Sequence, residues 1–125
     1  MEQHIDLATT QKPLVRYEDF SKMDIRIGTI KVVEEVPGTD KLLKCTVDFG
    51  QLGMRTIVSG IKEFRNPESL INLQVPYIVN LEPRIIKGVE SQGMLLAMSF
   101  DASTPGTSFA LMHPDIPVPS GTYIR

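Results

Sequence analysis

The 125-residue chain has no tryptophan and a single cysteine, Cys45. One cysteine excludes an internal disulfide, which fits a reducing cytosol without requiring one. No apolar run approaches the roughly 18 residues of a membrane-spanning helix. The opening stretch, MEQHIDLATTQKP, has no apolar segment of the kind that secretory signals carry. We therefore expect a cytoplasmic protein without a membrane partner.

Patterns for catalysis and metal binding are also missing. Neither of the two histidines has a histidine or cysteine close in sequence, so no metal and no other cofactor is expected. Ser59 lies in Val-Ser-Gly, which lacks the Gly-x-Ser-x-Gly pattern of a nucleophile elbow. Glu34 and Glu35 are adjacent and would point to opposite faces of a strand, so they do not form an acid–base pair. An enzyme is not expected, and no catalytic residue is assigned.

Positive charge is in excess only locally. The net charge is −2, which argues against indiscriminate binding of nucleic acid. Between Lys41 and Lys87, seven basic residues stand against four acidic ones, a balance of +3. Most such charges are solvated surface groups, so this excess indicates a function only if a motif accompanies it.

Length and composition predict one globular domain, since apolar residues make up 42% and charged residues 22% of the chain. Residues 1–16 are interpreted as a polar leader, and residues 17–125 as the domain. Two short helices are predicted. Apolar residues at 17, 20 and 23 indicate a turn of helix that closes one end of the core. Asn66-Pro67-Glu68 is typical of a helix start and predicts a helix through Ile71.

Strand-like segments with turns between them fill most of the domain. Ile25 to Val36 is rich in β-branched residues, and its apolar parity slips from odd to even at Gly28-Thr29, which predicts a β-bulge there with Ile30, Val32 and Val36 inward. The next segment alternates, with Leu43, Cys45, Val47 and Phe49 inward. Three more strands are predicted at Met54–Ser59, at Val75–Leu81 with its odd residues inward, and at Met94–Phe100.

This pattern predicts an all-β fold, a five-stranded OB-fold barrel with a short helix between strands 3 and 4 and a C-terminal extension. Such barrels bind ligands on one sheet face and at the loops between strands 1 and 2 and strands 4 and 5. Here those loops are Pro37 to Lys41 and the flexible excursion Leu81 to Ser91. The extension contains Phe109, Leu111 and Met112, apolar residues in excess of what five strands need, and they are predicted to form an extra interface.

Six ordered motifs resemble the tRNA-binding domain family, which occurs at the C-terminus of methionyl-tRNA synthetases, as free-standing tRNA-binding proteins, in a cytokine family and in a related secretion chaperone. The similarity covers residues 17–125. The motifs are Asp24-Ile-Arg-Ile-Gly28, Asp40-Lys-Leu42, Val47-Asp-Phe-Gly50, Arg55-Thr-Ile-Val-Ser-Gly60, Asn80-Leu-Glu-Pro83 and Gly88-Val-Glu-Ser-Gln-Gly-Met94.

The resemblance implies a non-catalytic OB-fold, usually a homodimer, that binds tRNA by shape with little regard to sequence. An aminoacyl-tRNA synthetase is an implied partner, and the chain would act either free-standing or appended to methionyl-tRNA synthetase. The implied tRNA-binding residues are Lys44, Arg55, Asn80, Arg84, Lys87, Ser91, Gln92 and Met94.

Three of these residues, Arg84, Lys87 and Met94, also have a purely structural interpretation. Arg84 and Lys87, three apart, could both reach one stretch of RNA backbone or could only solubilise a loop. Ser91 and Gln92 can bond base edges or 2′-hydroxyls. Met94 would offer RNA an apolar contact or pack in the core.

The chain departs from the family at two positions. Many relatives have lysine where Glu82 stands and a basic residue where Ile85 stands, and both changes weaken attraction to phosphate. Two alternatives therefore stay open, a peptide-binding chaperone of the same fold and a dimerisation module that has lost RNA binding. The secretion-chaperone branch lacks the Ser-Gln-Gly-Met run, so its presence here favours the tRNA branch.

Overall fold

A computed structural model describes residues 10–100 and 108–125. Residues 1–9 of the predicted leader and residues 101–107 of the predicted extension lie outside this range. The elements are α1 (Tyr17–Ser21), β1 (Ile25–Glu35), β2 (Leu43–Asp48), a 3₁₀ turn (Gly50–Leu52), β3 (Met54–Ser59), α2 (Pro67–Leu70), β4 (Gln74–Ile78), β5 (Arg84–Ile86), β6 (Val89–Ser91), β7 (Met94–Leu95), β8 (Ala97–Ser99), β9 (Phe109–Leu111) and β10 (Tyr123–Ile124).

One antiparallel sheet, with strand order β3-β2-β1-β4-β7, forms the body of the molecule. The 11-residue β1 pairs with β4 along its first half and with β2 along its second half, and its start also pairs with β10. The register of β1 against β2 shifts between Ile30 and Val32, slightly later than the predicted bulge at Gly28-Thr29. A long bent strand shared by two partners lets the sheet curl around a core. The predicted all-β architecture is thus confirmed.

The core lies inside the curl, and the alternation of β2 sets it up. Leu43, Cys45, Val47 and Phe49 are each 1% exposed or less, as predicted. Tyr77 of β4 packs against Phe49 with the ring planes at 82° and the centroids 5.4 Å apart, an edge-to-face contact. Both sheet halves therefore contribute to one hydrophobic cluster.

Gly28 has a packing role. A Cβ at this position would lie 2.4 Å from Val47 Cγ1 and 2.7 Å from Phe49 Cε1. No side chain fits at that separation, so glycine is needed where β1 crosses the inner face of β2. The sequence pattern had placed the bulge at this glycine, whereas the structure uses it for close approach.

Four predicted orientations are wrong, among them that of Pro76, which was expected outward and is buried. Val32 was expected inward but is 46% exposed, because the register shift at Lys31 reverses the parity of β1 beyond it. Ile78 was expected outward but is 5% exposed, and since residues 75–79 are all buried, β4 is covered on both faces. Leu81 was expected to continue the inward face of the strand, but β4 ends at Ile78 and Leu81 is exposed.

The two predicted helices are present, and only one of them meets the core. α2 follows Asn66 as predicted, with Pro67 at its start and a fully buried Leu70. α1 buries no residue, and Tyr17, Phe20 and Met23 are between 41% and 79% exposed, so the prediction that this helix closes the core is wrong. Within the described residues, no helix is long and apolar enough to cross a membrane.

The C-terminal part adds side chains to the core. The predicted fifth strand breaks at Leu96 into β7 and β8, and β8 pairs with β9. Phe109 and Leu111 of β9 pack against the core cluster, and the Phe109 ring stacks on Phe64 with centroids 4.9 Å apart. Phe109 and Leu111 are thus partly used by the core and Met112 is 36% exposed, and the predicted extra interface stays a prediction.

Candidate functional site

The excursion between β4 and β7, predicted as a flexible loop, is an ordered hairpin of β5 and β6. Lys87 and Gly88 form its two-residue turn, with φ angles of 50° and 81°. Positive φ at both central residues is typical of type I′ turns, whose twist matches that of the flanking strands. Lys87 therefore projects from the tip of a defined ribbon.

The two faces of this hairpin differ in their surroundings. Arg84 pairs with Ser91 and Ile85 pairs with Glu90, so the two pairs point to opposite sides. Ser91 is buried, which places the Arg84–Ser91 face toward the main sheet. Ile85 is 77% exposed and Glu90 is also exposed, so the outer face carries no cation.

Ser91 and Gln92 form what we call the clasp, because they attach the hairpin to the free edge of β3. The Val58 N–H donates to Ser91 Oγ over 3.0 Å, and the Thr56 N–H donates to Gln92 Oε1 over 3.0 Å. The Gln92 N–H donates in turn to the Thr56 carbonyl over 2.8 Å. An edge strand with unpaired backbone groups needs such partners, and here side chains supply two of them.

The clasp changes the role expected of Ser91. Its side chain is 5% exposed and bonds the backbone of β3, so the expectation that its hydroxyl faces RNA is corrected. Gln92 is half-buried and its amide oxygen is occupied in the same way. Both residues therefore position the hairpin.

Gly93 completes the clasp by allowing close approach. A Cβ at Gly93 would lie 2.9 Å from Ile57 Cδ1 and 3.1 Å from the Ile78 carbonyl oxygen. A side chain here would require the Ile57 side chain and the Ile78 carbonyl to give way. A hydroxyl, an amide and a glycine in a row thus attach this segment closely to β3.

Arg55 supports the clasp from the inner face. It pairs in register with the inward residue Val47, and its Nη1 donates to the carbonyls of Val79 and Gln92. Lys44 sits on the outer face of β2, opposite Glu34 on one side and Val58 on the other. The structure therefore separates Arg55 from Lys44, which the sequence had placed on one patch.

Asn80 is also engaged within the protein. Its Oδ1 accepts a bond from the Asp24 N–H over 2.8 Å, and its Nδ2 donates to the Lys22 carbonyl over 2.6 Å. These bonds tie the segment after α1 to the end of β4. Asn80 therefore lies toward α1, away from the clasp.

Three of the predicted residues, Arg84, Ser91 and Met94, line one depression of about 410 Å³ that we call the hairpin groove. Its other lining residues are Leu81, Glu82, Pro83 and Gly93. Met94 is 40% exposed, so it is available to a ligand. The sequence missed Leu81, Glu82 and Pro83 as lining residues, and the proline after Leu81-Glu82 was the signal that the strand had already ended.

A second surface lies around α1. Tyr17, Phe20, Met23 and Ile124, which we call the α1 patch, border a depression of about 490 Å³. All four are at least 39% exposed. Beside them, Arg26 forms an ion pair with Asp24 at 2.9 Å and stacks over the Tyr123 ring at 4.4 Å.

The perturbed titratable groups lie outside the hairpin groove. Burial raises the pKa of the Cys45 thiol to about 11, and burial together with the neighbouring thiol raises the pKa of Tyr77. Cys45 is thus a buried apolar side chain, as its parity predicted. Among the described residues, no three His, Cys, Asp or Glu side chains lie close enough together to hold a metal ion.

The sequence of this chain matches a known protein family. The model of the family described as "Putative tRNA binding domain" matches residues 25–123. Methionine–tRNA ligase of Flavobacterium psychrophilum is 47% identical over 109 residues, which are 87% of this chain and 15% of the ligase. The ligase of Pyrococcus horikoshii is 44% identical over 111 residues, 89% of this chain and 14% of that enzyme. The chain thus spans only a small part of these curated relatives.

Solved structures of related proteins have the same fold. A MetRS-related protein from Pyrococcus horikoshii superposes with a TM-score of 0.80 at 35% identity, covering 91% of this chain and all of that one. The chaperone CsaA from Bacillus anthracis superposes with a TM-score of 0.76 at 33% identity, covering 90% of this chain and all of that one. The fold is therefore shared by a synthetase-related protein and a chaperone.

Proposed function

Because this chain belongs to the tRNA-binding domain family, we propose that it is a non-catalytic module that binds tRNA at the hairpin groove and the hairpin tip. The observation that carries the proposal is the placement of Arg84 and Lys87 on one hairpin, with Met94 of β7 beside Arg84 in the groove. Arg84 and Met94 line the groove, and Lys87 projects from the turn. A rigid support lowers the entropy that binding must overcome.

The predicted residues divide into contacting and positioning groups. Lys87 would bind phosphate, Arg84 would add positive charge beside it, and Met94 would supply an apolar contact to a base or sugar. Ser91, Gln92 and Arg55 would hold the hairpin in place through the clasp, and Asn80 would fix the segment that leads into β1. Lys44, about two strand spacings from the hairpin on the outer face, would extend the contact along the sheet.

Recognition would depend on the shape of tRNA more than on its sequence. Phosphate contacts carry no sequence information, and shape readout is the usual mode for structured RNA. The ligase matches suggest that the domain works with methionyl-tRNA synthetase, appended to it or as a separate chain that raises the local tRNA concentration. The cytosol is the compartment in which these partners would meet.

Because the chain belongs to this family, we also propose two structural features of the unit formed by residues 17–125. The curled sheet is proposed to be an OB-fold barrel, since β1 serves both halves and Gln92 bridges β3 to the segment leading into β7. The α1 patch is proposed to be the homodimer interface, because contiguous exposed apolar residues mark association surfaces. Two modules in one dimer would gain avidity on a single RNA.

Equilibrium binding to two ligands, together with the oligomeric state, tests the proposal. Purified protein at low salt should retain labelled tRNA on a filter, and an unfolded polypeptide should compete poorly. Strong competition by the polypeptide would instead select the peptide-binding chaperone, which the superposition on CsaA and the exposed Ile85 favour. Undetectable tRNA binding by a stable dimer would select the pure dimerisation module.

A further inference from the structure

The hairpin groove carries two opposite charges that are not bonded to each other. Glu82 and Arg84 both line it, and neither side chain forms a salt bridge or hydrogen bond with any other described residue. Their charges sum to zero, so the groove offers a phosphate no net attraction. It favours a neutral group that presents hydrogen-bond donors on one side and acceptors on another.

The remaining lining of the groove suits a flat apolar face. Leu81, Pro83 and Met94 are its apolar walls, and Leu81 and Met94 are 44% and 40% exposed. Unpaired bases in RNA loops are recognised by contact with their faces combined with hydrogen bonds to their edges. Apolar walls beside a carboxylate and a guanidinium provide both kinds of contact.

Guanine fits this arrangement better than the other bases. Its O6 and N7 accept a bidentate pair of bonds from an arginine. Its N1–H and N2–H₂ groups are adjacent donors, which match the two oxygens of a carboxylate. Adenine and cytosine each have a single exocyclic amine on those edges and so satisfy only part of the pair.

We infer that the hairpin groove binds one unpaired guanine, with Glu82 on its Watson–Crick edge and Arg84 on its O6 and N7. The inference rests on the proposed tRNA-binding function and adds a base preference to it. Glu82 then has a role of its own, although at this position a carboxylate weakens attraction to phosphate. Glu82 and Arg84 are the specificity-determining residues, and Lys87 supplies charge without base choice.

The test compares RNA hairpins that share one stem and differ at a single loop nucleotide, which is guanine, inosine, 7-deazaguanine or adenine. Inosine lacks the N2 amine that would donate a hydrogen bond to Glu82, and 7-deazaguanine lacks the N7 that would accept one from Arg84. The wild-type protein should bind the guanine RNA most tightly, with each modified base weakening binding about fivefold or more.

Variants identify the side chain responsible for each preference. Glu82→Lys should remove the penalty for inosine and keep the penalty for 7-deazaguanine, and Arg84→Met, which removes the donors to O6 and N7, should do the reverse. Glu90→Lys makes the same charge change on the outer face of the hairpin, away from the groove, and should keep both penalties.

Equal binding of all four RNAs by the wild-type protein overturns the inference and leaves the tRNA-binding proposal standing. An inosine penalty that survives Glu82→Lys overturns it as well. Failure to bind any of these RNAs, or tRNA itself, at low salt overturns both proposals together.

Discussion

The hairpin side of this molecule buries polar side chains, whereas the α1 side exposes apolar ones. In the clasp, Ser91 is 5% exposed and its hydroxyl bonds the backbone of β3. In the α1 patch, Tyr17 and Phe20 are 79% and 45% exposed, although their spacing is that of a helix built to be buried. A polar motif is thus used inside the protein, and an apolar motif faces out.

The difference shows that composition alone does not tell which residues meet a partner. Polar side chains at a sheet edge can replace missing backbone partners, so a polar motif can be fully hydrogen-bonded within the protein without meeting a ligand. Exposed apolar side chains gain nothing until another surface covers them. The hairpin side should therefore govern the stability of the monomer, and the α1 side its association.

The largest expected effect on monomer stability is at the clasp. Ser91→Ala leaves the Val58 N–H without its partner in a buried position, which should lower the free energy of unfolding by about 1–3 kcal/mol. Thermal denaturation of the variant and the wild type would measure the difference. Ser99→Ala, which removes an exposed hydroxyl from β8, is the control and should be close to neutral. Equal melting temperatures for Ser91→Ala and wild type would show that the clasp does not hold the hairpin.

Alkaline pH should have the next largest effect on stability, and it acts through the buried Cys45 of the core. Burial raises the pKa of Cys45 from 9.0 to about 11. Above pH 9 the unfolded chain loses this proton and the folded chain keeps it, so stability falls as pH rises. At pH 10 the loss should be roughly 1 kcal/mol, and Tyr77 adds to it at higher pH since burial raises its pKa too.

Denaturant titrations from pH 7 to 10 would measure that decline. Cys45→Ala removes the thiol and should give a shallower decline than the wild type. Identical slopes for the two proteins would mean that the thiol does not remain protonated in the folded state.

The smallest expected effect on monomer stability is at α1. Tyr17→Ser combined with Phe20→Ser removes apolar side chains that touch little, so the free energy of unfolding at high dilution should change by less than about 0.5 kcal/mol. The same variant should elute as a monomer in size-exclusion chromatography with light scattering, at concentrations where the wild type is a dimer. Met98→Ser, at an exposed methionine of β8, should remain a dimer. A dimeric Tyr17/Phe20 variant would place the interface elsewhere.

Elements whose residues alternate without interruption could be predicted from the sequence. The inward set of β2 is correct at all four positions, and β3 begins and ends at the predicted residues. α2 begins at Pro67 as expected, because the preference of proline for the first turn of a helix is local. These features depend on near neighbours in the chain, which a sequence displays directly.

The candidate site was harder to predict because it depends on partners distant in sequence. The roles of Ser91 and Gln92 are set by the free edge of β3, more than 30 residues earlier in the chain. The inward position of Arg55 follows from its pairing with Val47, and Asn80 is held by residues before β1. The hairpin itself had a local signal. Gly88 suits the positive φ of a two-residue turn, and Lys87-Gly88 lies between the apolar residues Ile86 and Val89.

The salt dependence of tRNA affinity tests the central claim most directly. For the wild type, the logarithm of the association constant should fall linearly with the logarithm of salt concentration. Arg84→Ala combined with Lys87→Ala should weaken binding and reduce the magnitude of this slope by up to about two. Lys22→Ala combined with Lys31→Ala removes the same charge away from the hairpin and should leave the slope closer to that of the wild type. A slope unchanged by loss of Arg84 and Lys87 would contradict the account, because the hairpin would then not be the surface that meets the phosphates.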